Sequence, residues 1–207
     1  MRPLLIIGPD STLRDAYSLA QQAYHGRRVE MLHIPSSDYF DFDVEGLDLF
    51  PPSEWDVCIA VNEFYINDVR RALHVVVENR GYHFASLLSP DAHIDVKATI
   101  GENVIIYGGC FVGAGATIGH HSVLRSNVVI SENVLIGRYV TLEANVAARE
   151  ESKIGDFTTV CANSSLTRAC EIGAHCYLNL PRQYSGNVPS YTFFSPSFEN
   201  PVRVLGG

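Results

Sequence analysis

No run of apolar residues in this chain approaches the roughly 20 needed to cross a bilayer. Positive charge is not in excess either. Fifteen Lys and Arg face 23 Asp and Glu, for a net charge of −8. That leaves no electrostatic footprint for nucleic acid or an anionic membrane. No CxxC pair occurs, and the five cysteines are an odd number. This usage fits a reducing cytoplasm better than a disulfide scaffold. The start, MRPLLIIGPD, lacks the shape of a signal peptide, because its five-residue apolar run ends at Gly8-Pro9-Asp10. The expectation is a cytoplasmic protein with no nucleic-acid partner and no membrane partner. His93, His120, His121 and His175 show no ligand-like spacing with a third partner, so no metal is expected. The composition, 46% hydrophobic and 18% charged over 207 residues, is that of a globular chain of one large or two small domains.

What the chain does have is a period of six. Stepping from Ile94 gives Ile100, Ile106, Val112, Ile118, Leu124, Ile130, Ile136, Leu142, Ala148, Ile154, Val160, Leu166, Ile172 and Leu178. Fourteen of these fifteen positions are Ile, Leu or Val, with no insertion or deletion. A helix repeats at 3.6 and a strand at 2, so neither explains the period. Hexapeptide repeats mark a solenoid of stacked parallel strands. Three hexads per 18-residue coil predict a left-handed parallel β-helix of about five coils over residues 89–180. The repeating aliphatic residue points inward, and the residue four positions later should be small and inward too. That position holds Cys110, Cys170 and Cys176, which then read as core filler. The residue just after the aliphatic one is often glycine (101, 113, 119, 137, 155, 173), as a tight corner would prefer.

Residues 1–88 read as a small α/β domain. Strands are expected at Pro3–Ile7, Val29–Ile34, Trp55–Val61 and Tyr82–Leu87. A helix starting at Ser11 or Thr12 runs to Tyr24 with Leu13, Ala16, Leu19 and Ala20 on one face. A second helix, Ile66–Asn79, carries the stripe Val69, Leu73 and Val76. Alternating strands and helices imply a small parallel, Rossmann-like sheet. The acidic, aromatic stretch 35–53 reads as a loop or lid rather than core. Residues 181–207 break the register and are expected to fold back over the last coil, protecting its open edge.

The segment SPDAHIDVKATIGENVIIYGG, placed after an α/β unit and feeding a hexad run, resembles the bacterial hexapeptide acyltransferases that carry an N-terminal nucleotide-sugar domain. Sialic-acid O-acetyltransferases and UDP-4-amino-sugar N-acetyltransferases belong to that group. The resemblance implies a homotrimer that binds acetyl-CoA in a groove between neighbouring β-helices. It implies transfer to a small-molecule, sugar-type acceptor in surface-polysaccharide or related biosynthesis. The family's general base is a histidine in a motif Ile-x-His-(Glu/Asp/Asn), which Ile118-Gly119-His120-His121 matches through His120. The usual acidic or amide partner is replaced by His121, a second candidate at the catalytic position. Gly137, Arg138, Ala144 and Ala147 align with the family's acetyl-CoA contacts.

The register itself says more. Residues 18 apart stack, so His120 lies above Glu102 and below Arg138. Glu102 would orient the ring and stabilise its developing charge, while Arg138 would favour the neutral base. Arg125, Arg138, Arg149 and Arg168 are the arginines available on the coils for CoA phosphates. In the α/β domain, the first βα turn is where phosphate would bind, which makes Gly8, Asp10, Ser11, Thr12 and Asn62 the candidate substrate residues. That turn is altered from the family's Gly-rich loop: Pro9 removes a donor and Asp10 adds negative charge. Two readings stand: an acetyl-CoA-dependent O- or N-acyltransferase, or a diverged, non-catalytic trimeric scaffold or ligand-binding relative.

Overall fold

The computed structural model describes residues 2–204. The apolar run Leu4–Gly8 forms β1, which is buried on both faces. β1 is followed by α1 (Thr12–Ala23), β2 (Val29–His33), β3 (Ser36–Asp38), β4 (Asp41–Phe42), a 3₁₀ turn at Glu45–Leu49, β5 (Asp56–Ile59), α2 (Asp68–Glu78) and β6 (His83–Phe84). The main sheet has the order β2-β1-β5-β6, and every pairing in it is parallel. Leu13, Ala16, Leu19 and Ala20 of α1 pack with Leu4 and Ile6. Val69, Leu73 and Val77 of α2 pack with Leu5, Ile7, Val57 and Ile59. Val77 rather than Val76 completes the α2 stripe, because positions four apart share a helix face. Residues 35–53 are mostly exposed, but Leu47 is fully buried in the α2-side core, so this stretch is anchored rather than free.

From Leu87 the chain winds into a parallel β-helix of two-residue strands on three faces. The first face carries Leu87–Leu88, Ile105–Ile106, Val123–Leu124, Thr141–Leu142, Thr159–Val160, Tyr177–Leu178 and Thr192–Phe194. The second runs from His93–Ile94 to Gln183–Tyr184, and the third from Thr99–Ile100 to Asn187–Val188, with six strands each. Partners in adjacent turns are 18 residues apart, as in Ile105↔Val123 and Val123↔Thr141. The helix makes about six turns, one more than the strict hexad count. The extra turn comes from residues 183–194, where the spacing of inward residues shortens to four between Tyr184 and Val188. Only then does the chain return, with Val202–Arg203 pairing antiparallel against Thr192–Phe193.

The aliphatic positions and the small positions four later both fill the prism, and Cys110, Cys170 and Cys176 lie among them. Buried hydroxyls at the small positions keep their hydrogen bonds. Ser122 Oγ donates to Gly137 O at 2.9 Å, and Thr158 Oγ1 donates to Gly173 O at 2.8 Å. All five cysteines are buried and free. The corner glycines have a different reason from the one their sequence position implies. The left-handed residue of each corner lies two positions later, at Asn103, His121, Tyr139 or Phe157, for example. A Cβ on Gly119 would run into the backbone of Gly137 and Arg138 in the next turn, so glycine serves close stacking there.

The first face is the docked face. Its outward residues Leu87, Ile105 and Val123 join the core of Leu4, Ile6, Leu13 and Ala16. Around and beyond them the contact turns polar. Asn103, at the corner that closes the first turn, bonds the amide of Ile59 at 2.7 Å and its carbonyl at 3.2 Å. Asn67 donates to Thr159 Oγ1 at 3.1 Å and accepts from Thr141 Oγ1 at 2.7 Å. Arg70 is buried and donates to Val61 O, His121 O and Thr141 Oγ1 at 2.9–3.1 Å.

Candidate functional site

His120 sits at the corner between the third and first faces. Its side chain is 51% exposed. Its Nδ1 accepts from the backbone N–H of Glu102 at 3.1 Å and lies 3.8 Å from Glu102 Oε2. The structure thus brings His120 and Glu102 together as the register predicts. Nδ1 cannot accept from the amide and donate to the carboxylate at once. The first arrangement puts the ring proton on Nε2. The second, with Nδ1–H toward Glu102, leaves Nε2 free to take a proton from an acceptor.

Arg138 points the other way. It pairs with Asp156 one turn further on, through Nη2–Oδ2 at 3.0 Å, and its backbone N–H is held by the same carboxylate at 2.8 Å. The other coil arginines are also engaged: Arg168 with Glu151 at 2.7 Å, Arg149 with Glu150 at 3.6 Å, and Arg125 over the Tyr107 ring at 5.2 Å.

His121 is placed differently from His120. It is 4% exposed and sits under α2 with its ring 3.9 Å from that of His74. Its ring begins a stack that continues through Tyr139, Phe157, His175 and Tyr191, with centroids 4.6–5.0 Å apart and planes within 10°. Burial, reinforced by the positive charges of His74, Arg70 and His120, pushes its pKa down to about 2. A ring in this position is not presented to a substrate, and it stays neutral. His74, also lowered by burial, takes Tyr139 as partner, Nδ1 to Oη at 2.7 Å.

The candidate phosphate loop is filled by its own side chain. Asp10 accepts from Thr12 N at 2.7 Å through Oδ1 and from Asn62 N at 3.1 Å through Oδ2. These are amides that an anion would otherwise use. Gly8 is required by close packing, since a Cβ there would collide with the Ala60 carbonyl. Ser11 makes no side-chain cap to α1, and Thr12 is buried. Gly8, Asp10, Ser11, Thr12 and Asn62 are therefore gathered at the sheet's carboxyl edge, but as a self-closed loop.

The expected cofactor residues divide between different parts of the prism. Gly137 and Arg138 lie on the His120 corner. Ala144 lies across the first face, in a cleft of about 610 Å³ between α1 and the β-helix. Arg125, Tyr107, Glu143, Glu63 and Asp15 line the same cleft. Ala147 belongs to a second-face strand, between Val129 and Ser165. Burial raises the Tyr107 hydroxyl to about 12 and leaves it without a partner, and it pushes Glu143 upward. Sequence reasoning missed this cleft, Arg70, Asn67 and His74. It also missed a half-exposed aromatic group formed by Tyr39, Phe40, Phe64 and Tyr65. Arg70 and His74 lie on α2 and Asn67 caps it, and their partners on the β-helix are distant in sequence, so only the docking of α2 brings these groups together. Among the described residues no group of three His, Cys, Asp or Glu could hold a metal ion. No helix among them is long and apolar enough to cross a membrane.

Residues 97–132 match the pattern of the bacterial transferase hexapeptide (six repeats). No curated protein sequence matches the chain. Among solved structures, the acetyltransferase domain of PglB from Neisseria gonorrhoeae superposes with a TM-score of 0.82 at 17% identity, covering 98% of this chain and 100% of that one. The same domain in complex with acetyl coenzyme A gives 0.80 at 17% identity, covering 97% and 99%. PerB from Caulobacter crescentus, in complex with CoA and GDP-perosamine, gives 0.81 at 16% identity, covering 92% of each chain. These likenesses establish a shared fold, an α/β domain joined to a β-helix, over nearly the whole chain.

Proposed function

We propose that the protein is an acyltransferase that moves an acetyl group from acetyl-CoA to a sugar-like acceptor, with His120 as the general base. The observation that carries this reading is His120 itself. It is an exposed imidazole beside Glu102, set at the close of the second of about six turns of a β-helix whose fold is shared over nearly the whole chain with two proteins solved with acetyl-CoA or CoA. Neutral imidazole suits the task because its ordinary pKa lies near neutrality. In the step, the ring proton sits on Nδ1 and turns to Glu102, and the acceptor's N–H or O–H gives its proton to His120 Nε2 as its heteroatom attacks the thioester carbonyl. The C–S bond then breaks, and the imidazolium returns the proton to the departing CoA sulfur. Glu102 stabilises the imidazolium meanwhile. His121 serves the corner stack and the seat of α2.

We also propose a homotrimer. His120 with Gly137 and the cleft with Ala144 lie at different corners of one prism. A three-fold, head-to-tail contact sets one surface of a subunit against a different surface of the next. A solution mass near three times the 22.8 kDa chain mass is the expected result.

His120→Ala tests the base. Loss of a general base lowers kcat by roughly 10²–10⁴-fold, with little change in thermal midpoint because the ring is exposed. Activity within a few-fold of the unaltered protein would show that His120 is not the base. Thermal stabilisation by acetyl-CoA separates the enzyme from a non-catalytic scaffold. A ligand at 100 times its Kd adds about 2.7 kcal/mol, and the scaffold reading gains if millimolar CoA gives no shift.

A further inference from the structure

We infer that Arg70 is the positioning residue for the base: it holds the corner on which His120 stands and ties that corner to the carboxyl end of β5. This rests on the reading of His120 as the base and adds a residue to it.

His120 and His121 are consecutive, yet their side chains part at the corner. The ring of His120 is half exposed, and that of His121 is buried. The left-handed backbone of His121, with φ of 61°, makes the bend. The β-helix itself fixes this corner along its axis. His121 N donates to Glu102 O in the turn below at 2.9 Å, and His120 O accepts from Tyr139 N in the turn above at 2.9 Å. A Cβ on Gly101 would come within 2.7 Å of His120 N, so the two turns are in close contact beneath the base.

Across the axis the corner is held by α2. Arg70 Nη1 donates to His121 O at 3.0 Å. One helical turn on, His74 lays its ring 3.9 Å from that of His121 and bonds Tyr139 Oη at 2.7 Å. Positions four apart share a helix face, so both grips come from one face of α2. The same corner position is occupied in successive turns by Asn103, His121, Tyr139, Phe157 and His175, all at positive φ. Among the described residues, only the carbonyl of His121 is taken there by a side chain of the α/β domain. The turn so singled out is the turn of the base.

The other donors of Arg70 reach Val61 O at 2.9 and 3.1 Å, Asn62 O at 3.4 Å and Thr141 Oγ1 at 3.0 Å. Val61 and Asn62 lie just past β5, and Asn62 N is held in turn by Asp10. Each acceptor of Arg70 is a neutral oxygen. Packing alone gives no reason to bury a charge among them. A planar guanidinium fork reaches acceptors on two domains in one fixed geometry, which the single ammonium of lysine cannot do. A misplacement of about 1 Å at a reacting group can cost roughly 10²-fold in rate. Precision at His120 is what the fork supplies.

Histidine-selective 15N NMR of the full chain reads the ring of His120 directly, and His120→Ala assigns its signals. The unaltered protein gives one narrow set. Arg70→Lys, which keeps the cation and loses the fork, broadens or doubles that set. Thr141→Val is the comparison: it removes another bond of Arg70 and loosens the joint, but it spares the bond to His121 and leaves the His120 signals in place. Acetyl-CoA turnover, read as released thiol well below each thermal midpoint, falls roughly 10–100-fold in Arg70→Lys with KM within about twofold. It stays within about twofold in Thr141→Val. Unchanged His120 signals in Arg70→Lys would overturn the proposal, and so would equal disturbance by Thr141→Val or a rise in KM at constant kcat. Arginine side-chain 15N spectra of the unaltered protein need no variant. Distinct Nη signals for Arg70 show the fork held on both sides, and a single averaged signal defeats the proposal. The two readings fail separately. If His120→Ala keeps its activity, the base is lost, while a response of the His120 signals to Arg70→Lys still shows the placement. If His120→Ala abolishes turnover and Arg70→Lys leaves it unchanged, only the positioning role falls.

Discussion

Arg70 is the residue on which the joint between the two halves turns. Its guanidinium is buried, and burial lowers its pKa to about 10, so it remains charged at neutral pH. Its compensation is a set of carbonyl and hydroxyl acceptors, from Val61, Asn62, His121 and Thr141. Arg70→Met leaves those acceptors without a donor. Each buried, unsatisfied group costs about 1–3 kcal/mol, so urea denaturation is expected to show a loss of at least about 3 kcal/mol. Arg71→Ala, at the neighbouring exposed position, stays within about 0.5 kcal/mol. His121 makes a pH-dependent statement. Its folded pKa is about 2 and its unfolded value about 6.5, so the unfolded chain binds the extra proton between those limits. Stability from the neutral ring is complete above pH 6.5 and is lost as pH falls below it. Between pH 7 and 5 the loss approaches about 2 kcal/mol. His121→Phe, with the ring type that Phe157 carries at an equivalent corner, flattens that part of the stability curve.

Corners behave as elements in their own right. One is a ladder of rings from His121 to Tyr191. Another is a ladder of amides, in which Asn127 donates to Asn145 at 3.3 Å and Asn145 to Asn163 at 3.0 Å. The third holds Gly115, Asn133, Glu151 and Ala169, all at positive φ. Alanine has no local hydrogen bond to offset the left-handed conformation, whereas asparagine tolerates it well. Ala169→Asn is therefore expected to raise the thermal midpoint, by about 0.5–1 kcal/mol of stability. The aliphatic period was legible because it repeats without interruption from Ile94 to Leu178. The ring ladder was not, since its members change type at every step and share only a spacing of 18, which shortens to 16 at Tyr191. The start of α2 was misplaced by two residues for a similar reason. Ile66 and Asn67 look helical by pattern, yet tertiary bonds from Asn67 hold them left-handed.

For the whole molecule, the last turn matters more than its sequence implies. Tyr184, Val188 and Phe194 pack on the final interior layer. Removing residues 181–207 uncovers Leu166, Ile172 and Leu178 and leaves open strand edges. Each lost apolar side chain forfeits roughly 1.5–3 kcal/mol. Calorimetry of the shortened chain should show a lower midpoint, and light scattering should show concentration-dependent association. That turn was illegible because it breaks the six-residue spacing that revealed the others. His120 beside Glu102 was legible because stacking follows from register alone. The closed state of the Asp10 loop was legible only as a charge in an unexpected place, since its partner Asn62 is 52 residues away. The polar seam from Asn103 to Thr159 has a consequence for movement. It fastens the α/β domain to successive turns at several heights, through Ile59, Arg70 and Asn67. A hinge needs one axis about which contacts are conserved, and a joint pinned at several heights along a solenoid offers none. The two halves therefore move as one body.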